Sequence, residues 1–107
     1  SPVTHGHTLV LTRRVVPTWW DATPLERLAI LELVDSVRGQ IEAEFHPEGF
    51  NVGFDVGEVA GQTVPHLHVH VIPRYRGDTG NPRGGVRCVI PTRANDLAPA
   101  RVPSGHS

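Results

Sequence analysis

The chain has no lysine and no methionine, and its only cysteine is Cys88. Without lysine, any mechanism built on an amine nucleophile or a Schiff base is closed to it. A single cysteine excludes a disulfide within the chain and fits a reducing compartment. Without methionine, residue 1 is not an initiator as the sequence stands, so the N-terminal part reads as processed away or missing. No apolar run approaches the ~20 residues of a membrane-spanning helix. The opening "SPVTHGH" also lacks the basic and apolar regions of a secretory signal. A net charge of −1 gives no bulk attraction to nucleic acid or to a membrane surface. These absences predict a soluble, cytoplasmic protein with neither nucleic acid nor membrane as partner.

What is present suffices for one compact domain. The 107 residues are 38% hydrophobic, enough for a modest core. "HTLVLT" (His7–Thr12) reads as a strand with His7, Leu9 and Leu11 on one face. "TPLERLAILELVDSVRGQIEAEF" has the signals of a helix: Thr23 as N-cap, Pro24 at the first position and Glu26 closing a capping box. Ile30, Leu33, Val34, Val37 and Ile41 form its apolar stripe, interrupted in sequence by Gly39, and Pro47 ends it. "GFNVGFDVG" (Gly49–Gly57) alternates, with Phe50, Val52, Phe54 and Val56 on one face and Asn51, Gly53 and Asp55 on the other. "VRCVI" (Val86–Ile90) fits a last strand, and "PTRANDLAPARVPSGHS" lacks periodicity. The expectation is an α+β fold, an antiparallel sheet packed with one main amphipathic helix over residues 1–90, followed by a flexible tail over 91–107.

The segment "TVPHLHVHVIPR" places His66, His68 and His70 at strict alternation. On a strand they project from one face, while Leu67, Val69 and Val71 face the other, where the helix can cover them. Such a row has three uses. It can be a solvated sheet face without chemistry. It can bind zinc, with His7, Asp55 or the third triad histidine adding a ligand. Or it can perform nucleophilic catalysis at phosphorus, the middle imidazole attacking and its neighbours contacting phosphate oxygens or moving protons. Only the last use demands all three positions.

The stretch "GQTVPHLHVHVIPR", with "GHTLV" upstream and "GFNVGFDVG" before it, resembles the histidine triad (HIT) superfamily. Within it, "GQT", "PR" and "GD" are most similar to the branch of the fragile histidine triad protein and related dinucleoside polyphosphate hydrolases. The resemblance implies a nucleotide hydrolase or transferase acting at the α-phosphate of a small nucleotide conjugate, with no cofactor and no catalytic metal, and commonly a homodimer. It implies His68 as the nucleophile, His66 and His70 as its assistants and His7 as a supporting fourth histidine. Gln62 and Thr63 match the polar pair lining the phosphate site, and Asn51 shares a strand face with Asp55. Asp55 stands where relatives carry an amide, and an ionised carboxylate neither donates a hydrogen bond nor welcomes phosphate. That departure leaves a second reading open, a non-catalytic nucleotide-binding or interaction module of the same fold.

The remaining candidates have plainer readings. Trp19 and Trp20 are expected to pack over the end of the helix rather than cover a base. Arg74, Arg76, Arg83, Arg87 and Arg93 are expected to be solvated loop charges, although guanidinium forks suit polyphosphate.

Overall fold

The computed structural model describes residues 4–80 together with Pro82, Arg83 and Gly85. The strand expected at Val86–Ile90, Cys88 and the tail beyond lie outside the described residues. The elements run β1 (Thr8–Leu11), α1 (Pro24–Phe45), β2 (Gly49–Gly53) and β3 (His68–Arg74), with single 3₁₀ turns at Trp19–Asp21 and Glu58–Ala60. The strands form one antiparallel sheet in the order β1-β3-β2, so the histidine-bearing strand is central.

Burial follows the alternation of β3. Leu67, Val69, Val71 and Pro73 are buried, and the residues between them are half-buried. The buried side meets Val10 of β1 and Ile30 and Ile41 of α1, with Val34, Val37, Phe45, Phe50 and Phe54 packed around them. Leu33, expected in the helix stripe, is 47% exposed, and Val52 and Val56 are also exposed. α1 is narrower in its apolar contact than its sequence implies, and Leu25, Leu28 and Leu31 face outward as well.

A proline in a central strand needs explanation, because it cannot donate to a ladder. β1 pairs with β3 only from His68 to Val71, so Pro73 lies beyond the last partner on that side. Its carbonyl accepts instead from the Thr4 hydroxyl at 2.5 Å. Carbonyl and amide of one strand residue point to the same side, so the donor that proline lacks would have met no strand.

α1 begins as expected. Thr23 and Glu26 exchange side-chain and backbone hydrogen bonds, with Pro24 in the first turn. Arg14 clasps the same carboxylate at 2.8 and 3.0 Å and so joins the connection after β1 to the helix start. At the other end His46 takes a left-handed conformation (φ 52°), and its amide donates to Glu42. Trp19 stacks on Phe54 at 5.2 Å, and the Arg27 guanidinium lies 5.4 Å from the centroid of the Trp19 ring, which is the expected packing role. Trp20 differs: it meets Phe54 edge-on and is 68% exposed.

Two expected outcomes follow from these contacts. The Arg14 hydrogen bond, followed by that of the Thr23 backbone, lowers the Glu26 pKa from 4.5 to about 2. A depressed carboxylate contributes stability that is present above pH 4.5 and lost as pH falls toward 2. Glu26→Gln should therefore lower Tm at neutral pH, and the gap to wild type should close on acidification through that window. Gly6 is the third residue of a turn closed by the His7 amide on the Thr4 carbonyl, and its φ is +87°. A Cβ there would stand 3.0 Å from Phe45. Gly6→Ala should cost about 1–3 kcal/mol in denaturant unfolding.

Candidate active site

The three triad histidines do not share one strand. His68 and His70 belong to β3, whereas His66 sits in the turn before it. The Leu67 amide donates to the Val16 carbonyl at 2.7 Å, a partner outside the sheet. The expected ladder of three imidazoles is thus a pair on the strand with a third brought in from its entrance. The strand pair is also closer than the backbone repeat: the His68 and His70 rings stand edge to face with centroids 5.1 Å apart.

Hydrogen bonds assign two tautomers. His68 Nδ1 lies 2.8 Å from the His66 carbonyl, which can only accept. Nδ1 therefore carries the proton, and in the neutral ring Nε2 holds the lone pair. His66 Nε2 lies 2.9 Å from the Thr12 carbonyl and 3.2 Å from the Thr12 hydroxyl. Because that hydroxyl donates to the Arg14 carbonyl, it accepts from His66, and Nε2 of His66 is the protonated nitrogen. Thr12 is buried, so this anchor is held by the body of the protein.

His7 precedes β1 and reaches the triad from the side. Its Nε2 and the Nδ1 of His70 are 2.9 Å apart, with ring centroids at 5.2 Å. One proton is shared between those two nitrogens. Burial lowers the pKa of His7. Burial also lowers that of His70, helped by the charges of His68 and His7, while Asp55 pulls the other way. The pair is thereby biased to neutral imidazoles near neutral pH.

The other predicted residues are spread around this centre. Asp55 follows the end of β2, with a carboxylate oxygen 3.6 Å from where a Cβ on Gly61 would stand, and its charge acts on His70. Thr63 is exposed in the loop before the triad. Gln62 is buried at 8% exposure. Its Nε2 donates to the carbonyls of Pro17 (2.6 Å) and Val64 (3.0 Å), and its Oε1 accepts from the Gly57 amide (2.8 Å). The amide is spent on loop backbone. Asn51 does lie on the triad face, opposite Ile72, but its Oδ1 accepts from Arg74 at 2.6 Å. Arg74 is not a solvated charge: it also grips Asp78 with two hydrogen bonds at 2.7 and 2.8 Å. A concavity of about 450 Å³ lies at this far end of β3, lined by Glu48, Asn51, Tyr75 and Arg76 among others. Thr12 is the residue that sequence reasoning missed, because its partnership with His66 spans 54 positions. Among the described residues no group of three or more metal-ligating side chains could hold an ion.

Comparison with known proteins agrees with the geometry. A family model described as the HIT domain matches residues 1–77. The chain belongs to the HIT domain family. It is 44% identical over 78 residues to a bis(5'-nucleosyl)-tetraphosphatase [asymmetrical] of Schizosaccharomyces pombe, covering 73% of this chain and 43% of that protein. It is 38% identical to an AP-4-A phosphorylase of Mycobacterium tuberculosis, covering 72% of this chain and 40% of the relative. A HIT family protein from Bacillus anthracis, known from its crystal structure, superposes with a TM-score of 0.69 at 43% identity, covering 71% of this chain and 54% of that one. The chain thus spans about half the length of the relatives it matches, or less.

The HIT centre makes one electrostatic prediction. Asp55 raises the His70 pKa against burial, so Asp55→Asn should move it further below 6.5. Following the His70 ring protons by NMR across pH 4–8 checks this, and an unmoved titration would show that solvent screens the carboxylate.

Proposed function

We propose that this HIT protein hydrolyses or transfers a nucleotide at the α-phosphate of a small nucleotide conjugate through a nucleotidyl-histidine intermediate. The observation that carries the reading is the His68 ring. With Nδ1–H on the His66 carbonyl, Nε2 is the nitrogen that carries the lone pair whenever the ring is neutral.

In the first step the Nε2 lone pair forms a bond to the α-phosphorus as the bond to the leaving group breaks. The leaving atom takes a proton, and the candidate donor is His70 as its imidazolium, with Nδ1–H held by His7 Nε2 and the proton leaving from Nε2; the neutral ring then takes a proton from the attacking water in the second step. Water then attacks the same phosphorus, the phosphorus–nitrogen bond breaks, and the nucleoside monophosphate leaves with His68 restored. Phosphate as the second acceptor would make the reaction a phosphorolysis. His66 supports His68 through its carbonyl and a ring pinned to Thr12. Thr63 is an exposed hydroxyl for phosphate, and Gln62 contributes by holding the loop from Gly57 to Val64 in place.

Leu9 and Leu11, paired with His70 and His68 and about half exposed, offer apolar surface to a nucleoside. The outward leucines of α1 favour a homodimer, measurable by sedimentation. No helix among the described residues is long and apolar enough to cross a membrane.

Single-turnover reaction of α-phosphate-labelled diadenosine tetraphosphate and adenosine phosphoramidate tests the mechanism. AMP release should persist in chelator and fall at least about 10³-fold in His68→Ala. An acid-labile, base-stable label on wild-type protein should mark the intermediate. Nucleotide binding with no His68-dependent turnover would instead establish a non-catalytic module.

A further inference from the structure

Two glycines near the triad have opposite reasons for being glycine. Gly6 has a positive φ and no room for a Cβ, so the fold itself demands it. Gly53 is not among the positive-φ glycines, and a Cβ built on it meets no atom of the described residues within 4 Å. Neither backbone nor packing requires glycine there. A strand glycine even costs roughly 0.5–1 kcal/mol relative to alanine. One reason for an unforced glycine in a strand is close approach by a ligand or another backbone; Gly49 of the same strand is equally unforced, so the position of Gly53 has to decide.

Its position says what approaches. The row across the sheet reads Leu9, His70, Gly53, and directly opposed residues share a face. A side chain at 53 would therefore stand beside His70 on the triad face. Leu11 likewise flanks His68 on the β1 side, whereas β2 has ended before the place that would flank it on the other. The two imidazoles thus have leucines along one flank, and on the other the place beside His70 holds no side chain among the described residues. The Asp55 carboxylate lies toward Gly61, and its charge also reaches His70.

We infer that Gly53 is a specificity-determining position, whose missing side chain leaves a gap beside His70 for the proximal part of a bulky leaving group, a nucleoside polyphosphate rather than a small amine. The inference rests on the function proposed above and deepens it. A phosphoramidate that releases ammonia has little to put in the gap. A dinucleoside polyphosphate must route a chain of phosphates past the triad, and the place without a side chain lies on the β2 side.

The test compares wild type, Gly53→Ala and Gly53→Val on diadenosine tetraphosphate and adenosine phosphoramidate in one magnesium-containing buffer. Valine should lower kcat/KM for the tetraphosphate at least about tenfold, with the phosphoramidate within about twofold and alanine in between. Thermal stability should equal or exceed that of wild type, since a β-branched residue suits a strand. A parallel fall on both substrates, or no fall on either, would overturn the inference while leaving His68 chemistry standing. If wild type turns over neither substrate, the proposed function fails first, and calorimetric binding of a methylene-bridged dinucleoside tetraphosphate and of AMP decides the gap. Valine weakening the bridged analogue alone supports the inference. Equal affinities in wild type and variant, or no binding of either ligand, end it.

Discussion

Everything in this molecule depends on burying one face of one strand. Leu67, Val69 and Val71 are at most 4% exposed, and each such side chain contributes roughly 1.5–3 kcal/mol by leaving water. Strand side chains alternate with period two, so a slip of one residue would bring His68 and His70 into the core and expose the valines. The cost of burying two imidazoles in an apolar layer forbids that register. The side chains of chemical interest are thus aimed by residues that take no part in chemistry. α1 supplies the cover through Ile30 and Ile41, and β1 and β2 clamp the strand from both sides.

Within that frame, backbone carbonyls define the protonation of the site. The carbonyls of His66 and Thr12 each take the proton of one imidazole, which leaves a chosen nitrogen of each ring to face outward. A side chain could rotate away from such a duty, but a carbonyl in a packed turn cannot. The His7–His70 contact differs, because two ring nitrogens share one proton, and that proton can pass either way. Its surroundings oppose net charge: burial and the neighbouring histidines outweigh the single carboxylate of Asp55.

The polar residues around the triad divide by what their atoms already hold. Gln62 has its amide committed to three backbone groups, and Arg74 has its guanidinium committed to Asp78 and Asn51. Both shape the surroundings by fixing loops. Thr63 and Asp55 keep their functional groups nearer to solvent or to His70, and Gly53 acts by having no side chain. Motif membership does not distinguish these roles; hydrogen-bond bookkeeping does.

The sequence by itself determined the elements that rest on local chemistry. The capping box of Thr23 and Glu26 with Pro24, the alternation in β3 and the HIT motif around it were legible because each depends on residues a few positions apart. Tertiary structure decided what distance along the chain conceals. The Thr12 anchor of His66 spans 54 residues and the His7–His70 contact 63, so no periodicity announces them. Alternation also predicted one strand for all three triad histidines, but the bond from Leu67 to Val16 draws the chain off the sheet before His68. In sequence Gly53 is one of three residues on a strand face; its pairing with His70 and the absence of described atoms around it came only from the fold. Pattern encodes which way a side chain points, because backbone geometry repeats; what it meets there is encoded only by the fold that brings remote residues together.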